Sequence, residues 1–419
     1  MNIKVEKRTF DEVQIIPTYK HKKPLKPNFF FKTLLKVASK GELKDTNFKY
    51  NMINMDKLKK NEPCIILMNH SSFIDLKMAT TIWYPKPLNI VCTSDGFVGK
   101  EWLMRHLGCI PTKKFITDAT LVKDMIYALK TLKSSVLMFP EAGYSFDGTP
   151  TRLPDTMGKM LKLLKVPFVM IKTYGAFLHD PLYNDLKLRK VDVSADVEYV
   201  LSAEEINEKS VDELNNIVKE KFTFDNFRWQ QENNVKITEE FRADNLNRVL
   251  YKCPHCLGEN CTIGKGITIK CNSCGAEYEL TENGSLKCLT GEGKFNHIPD
   301  WFKWERECVK EEILSNKYSL ETDVNICVLK DTKCLYDVGD GHLSHNEKGF
   351  HLTGSGIDYT QPAASSYELN ADYYWYEIGD IISIGTSDLM YYCFPKNKED
   401  IVAKTRFAVE VLYDISKEK

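Results

Sequence analysis

The sequence predicts an N-terminal α/β domain, a small cysteine-containing ribbon and a β-rich C-terminal domain that ends in a helix. Three observations lead to this prediction. Apolar strand-like runs alternate with helical patterns from residue 63 to about residue 200, and two Cys-x2-Cys pairs follow at 253–274. Beyond them, short β-like segments precede a final helical pattern. A chain of 419 residues is also too long for one compact core.

The α/β domain is expected to alternate strands with helices. Its strands are predicted at 64–68, 88–92, 136–139, 166–171 and 191–200. Its helices are predicted at 74–83, 98–107, 118–133 and 155–165, with a polar helical pattern at 203–248. Residues 29–40 are apolar with regularly placed lysines and predict a short basic helix. Such a helix either lies at a membrane surface or packs on the domain with its lysines solvated.

The C-terminal domain is expected to open with a helix at 301–316 and to close with a helix at 398–417. Between them, strands are predicted at 324–330, 333–338, 342–345, 348–353, 372–378, 380–385 and 389–394. Seven short strands followed by an amphipathic helix resemble the layout of the pleckstrin-homology or GRAM-like fold.

Composition narrows the class of protein. The formal net charge is only −1, which argues against nucleic acid as a partner. Thirteen cysteines without a signal-peptide pattern predict a reducing, cytoplasmic setting. No window approaches the ~18–20 apolar residues of a membrane-spanning helix, so an integral membrane protein is not expected.

Two polar motifs follow predicted strands of the α/β domain. Residues 69–75 (NHSSFID) follow the strand at 64–68, and residues 139–145 (FPEAGYS) follow the run at 136–138. Open α/β sheets carry their chemistry at such strand ends. A histidine with an acidic partner, and a carboxylate at a second strand end, suit the removal of a proton from a hydroxyl.

His70 and Asp75 can meet only in one arrangement. Five residues turn about 140° round an ideal helix, so His70 must lie in the turn and Asp75 in the first helical turns. Ser71 and Ser72 are suitable N-cap residues for that junction. The alternative is a plain capping-box-like helix start, because a lone His-x4-Asp is common by chance.

The two motifs resemble the first and third signature blocks of the glycerolipid and lysophospholipid acyltransferase family, of the 1-acylglycerol-3-phosphate acyltransferase type. The resemblance covers roughly residues 28–245. It implies that an acceptor hydroxyl attacks an acyl thioester directly, without a covalent intermediate. It also implies that His70 is the general base, that Asp75 orients it and that Glu141 helps to hold the acceptor.

Two further blocks are similar to the family pattern. Residues 108–114 (GCIPTKK) resemble the phosphate-binding block Gly-x-Ile-x-x-Arg, with Lys113 in place of the usual arginine. The alternative for Lys113 is a solvated loop lysine. Residues 166–171 (VPFVMI) resemble the fourth block and are expected to form a core strand without chemistry.

The third block departs from the family pattern. The family's Gly-Thr-Arg is replaced by Ala142, Gly143 and Tyr144, and tyrosine offers only a neutral hydrogen bond to a phosphate. Arg152 is a candidate substitute, or else an exposed structural arginine. The departure weakens the expectation of a phosphate-bearing acceptor and leaves lysophospholipids and other lipid alcohols open.

A zinc site is predicted from two Cys-x2-Cys pairs that are fourteen residues apart, a spacing typical of two zinc knuckles. The expected ligands of this structural zinc are Cys253, Cys256, Cys271 and Cys274. His255 and Cys261 are expected not to bind the metal. A thiol-redox pair is the lesser alternative. No basic and aromatic stripe surrounds the ribbon, so a folding staple or docking module is favoured over nucleic-acid binding.

The expected domains are an acyltransferase domain at 28–245, a zinc ribbon at 246–290 and a β-rich pleckstrin-homology or GRAM-like domain at 295–419. The expected function is O-acyl transfer from acyl-CoA or acyl-carrier protein to a lysophospholipid or glycerol-phosphate-like acceptor, by an enzyme associated peripherally with the membrane surface. The competing hypothesis is a catalytically drifted lipid-binding or scaffold protein that docks through its zinc ribbon. A zinc-ribbon nucleic-acid binder is the third hypothesis.

Overall fold

The computed structural model describes residues 3–17, 19–116, 119–397 and 400–418. These residues form three sheets, of seven, four and eight strands. The strands up to the end of the α/β domain are β1 (Val5–Lys7), β2 (Lys49–Ile53), β3 (Ile65–Met68), β4 (Leu88–Thr93), β5 (Cys109–Thr112), β6 (Ser135–Met138), β7 (Phe168–Tyr174) and β8 (Ser194–Leu201). The helices of this part are α1 (Phe10–Gln14), α2 (Phe29–Asp45), α3 (Ile74–Trp83), α4 (Glu101–His106), α5 (Ala119–Lys130), α6 (Met157–Leu164), α7 (Ala176–His179), α8 (Ala203–Glu208), α9 (Val211–Phe222) and α10 (Asn226–Glu232).

The seven-stranded sheet has the order β2-β8-β7-β3-β6-β4-β5. Its strands are parallel except at the β7–β8 pair. All four residues of β3 are buried, as expected for an apolar central strand that is covered on both faces. Ile65 lies opposite Val136, and Leu67 opposite Met138. Because β3 and β6 are parallel neighbours, the motifs that follow them leave the same edge of the sheet side by side.

The α/β strands and helices that the sequence predicts are present with shifted ends, and residue 118 of the predicted helix 118–133 lies outside the described residues. The short edge strands β2 and β5 were not predicted, and β5 contains Pro111, which is tolerated at an edge. The prediction of a helical pattern over 203–248 was wrong beyond α10. There Asn234 and Asn245 have φ of +53° and +61°, and such left-handed residues turn the chain out of a helix.

The four-stranded antiparallel sheet forms the ribbon, in the order β12-β11-β10-β9. Its strands are β9 (Thr262–Lys265), β10 (Thr268–Cys271), β11 (Glu277–Leu280) and β12 (Leu286–Cys288). Helix α11 (Ile298–Leu314) follows, and its Trp301 packs edge-on against Tyr278 of β11. This contact attaches the ribbon to the C-terminal region.

The C-terminal sheet has the order β16-β15-β14-β13-β19-β18-β17, and β1 is added by parallel pairing with β14. Its own strands are β13 (Leu320–Leu329), β14 (Leu335–Asn346), β15 (Gly349–Gly354), β16 (Ile357–Pro362), β17 (Asn370–Trp375), β18 (Gly379–Gly385) and β19 (Met390–Pro395), and α12 (Val402–Glu418) closes it. The assignment to the pleckstrin-homology or GRAM-like class stays a prediction.

Three details of the C-terminal region differ from the sequence predictions. The two strands expected at 333–338 and 342–345 are one strand, β14, whose Gly339 has a φ of +106° beside a register shift in its pairing with β13. Gly339 therefore marks a bulge within one strand, whereas the sequence predicted a break between two strands. Strand β16 was not predicted. Helix α12 begins at Val402, and residues 398–399 of the predicted helix lie outside the described residues.

The three sheets share one apolar core. A single buried cluster includes Leu137 of β6, Tyr278 of the ribbon and Phe407 of α12. The Gly99 N–H also donates to the Thr332 carbonyl at 2.8 Å, across the α/β and C-terminal parts. The C-terminal region is therefore packed firmly on the α/β domain. Within the described ranges, no helix has the length and apolarity needed to cross a bilayer.

Candidate active site

The turn between β3 and α3 brings His70 and Asp75 together. His70 Nδ1 lies 3.2 Å from Asp75 Oδ2, and the same oxygen accepts the backbone N–H groups of Ser71 at 2.7 Å and Ser72 at 2.9 Å. The Asp75 side chain is fully buried, whereas that of His70 is 19% exposed. Histidine lies in the turn and aspartate in the first helical turn, which is the arrangement that the spacing required.

The helix start differs in detail from the predicted one. The N-cap of α3 is Phe73, whereas Ser71 and Ser72 were expected there. Ser72 Oγ nevertheless accepts the Ile74 N–H at 3.1 Å and donates to the buried Asp180 carboxylate. The backbone of the turn is therefore stabilised by two acceptors, the Asp75 carboxyl in the first turn of α3 and the Ser72 hydroxyl.

The partner of Nδ1 decides which nitrogen of His70 is available. An ionised carboxylate only accepts hydrogen bonds, so Nδ1 carries the proton that it donates to Asp75. The Nε2 atom of the neutral ring then keeps its lone pair. Three donors on Asp75 Oδ2 suit the ionised carboxylate, which would stabilise an imidazolium formed when Nε2 takes a proton.

Aromatic rings cover the faces of His70. Its ring centroid lies 4.2 Å from that of Phe139 and 4.0 Å from that of Tyr144, with interplanar angles of 28° and 34°. Two rings so close and nearly parallel must occupy opposite faces of the imidazole, so a substrate can approach only its edge. Tyr144 also stacks on Phe73, at 5.0 Å. At the position where the family pattern has a phosphate-binding arginine, this chain therefore has Tyr144, whose ring packs between His70 and Phe73.

Glu141 connects the two motifs through the backbone. Its Oε2 accepts the His70 N–H at 2.7 Å, and its Oε1 accepts the Thr151 N–H at 2.9 Å. Burial raises the pKa of the Glu141 carboxyl to about 8, and the two N–H donors act against this rise. Ala142 follows with a φ of +53°, in the left-handed region that glycine favours. The family glycine at this position is thus replaced without loss of the turn.

The cationic residues predicted near the site are held by the C-terminal region. Lys113 Nζ donates to the Ser387 carbonyl, and Arg152 pairs with Asp414 at 2.6 Å. Lys114, beside Lys113, lies 3.5 Å from Asp372 of β17. None of these three contacts could be predicted from the sequence, because the segments around Ser387, Asp414 and Asp372 do not resemble a site motif.

The four predicted zinc ligands lie together at one end of the ribbon. The sulfur atoms of Cys253, Cys256, Cys271 and Cys274 are all within 4.8 Å of one another. The Cys253–Cys274 and Cys256–Cys271 sulfur distances are both 3.7 Å. Four sulfurs bound tetrahedrally at 2.3 Å would be about 3.8 Å apart, so the cluster could hold a zinc ion. Cys261 lies 3.5 Å from Cys271 but directs its Sγ to the Gly258 carbonyl.

We predict that Glu141→Gln lowers the free energy of unfolding by about 2 kcal/mol, because one buried N–H then faces an amide donor instead of an acceptor. Urea unfolding measures the change. The matched control is Glu213→Gln, since the Glu213 side chain also accepts a backbone N–H, from Ser210 at 2.7 Å, but at an exposed helix start. The control should change stability by less than about 0.5 kcal/mol. Equal effects of the two substitutions would contradict the bridging role of Glu141.

Comparisons with known proteins agree with the motifs. Residues 49–172 match the family model described as Acyltransferase. No curated protein matches the chain. Among solved structures, the chain is similar to the 1-acyl-sn-glycerophosphate (LPA) acyltransferase PlsC from Thermotoga maritima, with 16% identity and a TM-score of 0.37, over 46% of this chain and 76% of that chain. Both motifs lie within residues 49–172, the part of the chain that matches the Acyltransferase family model.

Proposed function

We propose that the protein is an O-acyltransferase that transfers an acyl chain from acyl-CoA or acyl-carrier protein to the hydroxyl of a lysophospholipid or glycerol-phosphate-like acceptor. The observation that carries this proposal is the 3.2 Å contact between His70 Nδ1 and the buried Asp75, at the end of a central parallel strand. It leaves Nε2 free to act as the base on a side chain that is 19% exposed, within residues that match the Acyltransferase family model.

In the proposed reaction, His70 Nε2 takes the proton of the acceptor hydroxyl while the hydroxyl oxygen attacks the thioester carbonyl carbon. The new C–O bond forms and the tetrahedral intermediate collapses with cleavage of the C–S bond. The leaving thiolate recovers the proton from the imidazolium, which Asp75 stabilises until then. The balanced products are an ester and a free thiol.

Around this centre we assign different roles to the predicted substrate-binding residues. Glu141 is a positioning residue, because its carboxyl group accepts a hydrogen bond from the backbone N–H of His70. Tyr144 packs on the imidazole and limits the approach of substrates to the ring edge. Lys113 and Arg152 remain candidate headgroup contacts, although both now have partners in the C-terminal region.

We further propose that the four-cysteine cluster holds a structural zinc ion. The ribbon lies between the other two parts, where Lys252 pairs with Glu312 of α11 at 3.1 Å and Glu259 pairs with Lys404 of α12 at 2.7 Å. A metal that folds the ribbon would therefore also stabilise the attachment of the C-terminal region.

The proposed contact with the membrane surface runs through α2. Four apolar side chains of this helix are more than 40% exposed, namely Phe29, Phe30, Leu34 and Val37. Phe31 of α2 is buried, and its ring lies 5.8 Å from that of Trp102, whose side chain is 65% exposed. Lysines at 32, 36, 40 and 44 alternate with these residues. A basic helix with exposed aromatic residues suits an anionic lipid surface, as expected for a peripheral enzyme in the cytoplasm.

We predict that His70→Ala lowers kcat for acyl transfer about 10³-fold and that Asp75→Asn lowers it at least about 10²-fold, because the base or its orientation is lost. Thiol release from acyl-CoA with a panel of lysolipids measures the rate. The control is His342→Ala, since His342 also contacts two carboxylates, Glu321 and Asp323, but on the exposed C-terminal sheet. Full activity of His70→Ala would refute the assigned base, and absence of product with every acceptor would favour a drifted lipid-binding protein.

We predict that the purified protein binds about one zinc per chain and that Cys253→Ser and Cys271→Ser each abolish binding and lower Tm. Metal analysis and thermal unfolding provide the two measurements. Cys261→Ser and Cys308→Ser are the matched controls and should keep the metal, because their sulfur atoms are not part of the cluster. Loss of zinc from Cys261→Ser would instead make Cys261 a ligand.

We predict that the double variant Phe30→Ser/Val37→Ser binds vesicles of phosphatidylcholine with 30% phosphatidylserine, roughly a common anionic composition, at least about tenfold more weakly than the parent. The exposed apolar surface of α2 is then reduced while its lysines are kept. Vesicle sedimentation measures the binding. Leu314→Ser, which removes a 63% exposed leucine from α11, should not change it. Unchanged binding of the double variant would exclude α2 as the membrane contact.

A further inference from the structure

A buried carboxyl group from outside both motifs contacts the turn that carries His70. It belongs to Asp180, which follows α7 and lies beyond residues 49–172 of the family match. Its Oδ1 accepts a hydrogen bond from Ser72 Oγ, and Asp180 and Ser72 are only 4% and 1% exposed. The turn between β3 and α3 is therefore bonded to a third segment of the chain, besides the two motifs.

Ser72 uses both its backbone and its hydroxyl in this turn. Its N–H donates to Asp75 Oδ2 at 2.9 Å, and its Oγ accepts the Ile74 N–H at 3.1 Å. A serine hydroxyl carries one proton, and Asp180 is the acceptor of that proton. Ser72 therefore connects the residue that orients His70, the first residue of α3 and the carboxyl of Asp180.

The segment that carries Asp180 is itself firmly held. The Arg189 N–H donates to the His179 carbonyl at 2.8 Å, and His179 Nδ1 donates to the Arg189 carbonyl at 2.9 Å. Gly175 starts this segment with a φ of +77°, and a side chain there would meet the Asp192 carbonyl at 2.5 Å. A side chain on so well bonded a segment restrains its partner more than a mobile one would.

The same segment holds the other side of His70. The backbone N–H of Thr173, in β7, donates to Asn69 Oδ1 at 2.8 Å, and the Thr173 hydroxyl donates to the same oxygen at 3.2 Å. Asn69 precedes His70, and Ser72 follows it by two residues. The base therefore lies between two residues that are both bonded to the segment running from β7 to Asp180.

Asp180 places no second negative charge beside Asp75 at neutral pH. Burial raises the pKa of the Asp180 carboxyl to about 8, the Ser72 hydrogen bond lowers it, and the Asp75 charge raises it. A neutral carboxyl still has an oxygen that accepts the Ser72 proton. Among the described residues, no hydrogen bond or ion pair joins Asp180 to His70 directly, so any effect of Asp180 on the base must pass through Ser72.

We propose that Asp180 is a positioning residue of the acyl-transfer site, which fixes the turn of His70 and Asp75 through the Ser72 hydroxyl. The inference rests on the proposed function and adds to it a residue from outside both motifs. Without Asp180, the Ser72 hydroxyl is buried without an acceptor and the turn loses one of its fixed points. A displacement of a reacting group by about 1 Å lowers a rate about 10²-fold, so a small shift of the turn is costly.

The test measures thiol release from acyl-CoA, with the lysolipid that the full-length parent uses fastest as acceptor. Ser72→Ala and Asp180→Ala should each lower kcat about tenfold or more, because the turn is no longer fixed. The KM for the acceptor should stay within about twofold, because both side chains are buried away from the substrate. Asp180→Asn should keep kcat within about threefold, since the amide oxygen also accepts the Ser72 proton.

A double variant distinguishes positioning through one contact from two separate effects. Ser72→Ala/Asp180→Ala should lower kcat no more than about twofold beyond Ser72→Ala alone, because both substitutions break the same contact. The matched control is Asn247→Ala. Asn247 likewise accepts a backbone N–H, from Gly264 at 2.9 Å, and donates to a carboxyl, that of Asp400 at 2.6 Å, but it joins the ribbon to the segment before α12. It should lower Tm and leave kcat within about twofold.

Ser72→Ala removes only a hydroxyl and provides the test by itself if Asp180→Ala does not fold. A lower Tm with the kcat of the parent in Ser72→Ala would make the contact merely structural and overturn the inference. Equal losses in Asp180→Asn and Asp180→Ala, or losses that multiply in the double variant, would also overturn it while the proposed function stands. No product from the parent with any acceptor would overturn the proposed function and the inference with it.

Discussion

One buried oxygen atom, Asp75 Oδ2, organises the candidate site. It accepts His70 Nδ1 and the backbone N–H groups of Ser71 and Ser72, so one carboxylate fixes both the imidazole and the path of the chain into α3. Glu141, which follows the neighbouring strand β6, acts in a similar way, because it accepts a hydrogen bond from the His70 N–H. The position of the base therefore depends on two buried carboxyl groups that accept hydrogen bonds from backbone N–H groups.

The second constraint is the shared core between the α/β domain and the C-terminal region. Because β1 pairs with β14 and the apolar cluster is continuous, the C-terminal sheet is held in a fixed place beside the second motif. That placement brings Asp372 against Lys114 and Lys113 against the Ser387 carbonyl. The fold thus places residues of the C-terminal region against the segment that follows β5.

The sequence was informative where function depends on local order. The apolar run before His70, the His-x4-Asp spacing and the two Cys-x2-Cys pairs are short patterns, and the structure places their side chains together. Contacts between distant segments left no such pattern. The addition of β1 to the C-terminal sheet and the approach of Asp372 to Lys114 depend on packing, to which each segment contributes only apolar or isolated charged residues. The left-handed backbone conformation of Ala142 could not be predicted either, because alanine is not a residue type that favours such turns.

The most direct test of the central claim is ¹⁵N NMR of the His70 imidazole in the parent and in Asp75→Asn. If Asp75 holds Nδ1–H, the neutral ring of the parent should carry its proton on Nδ1 and leave Nε2 bare. The substitution should redistribute the proton between the two nitrogens, because an amide can also donate. A parent spectrum with the proton on Nε2 would contradict the assignment of Nε2 as the base.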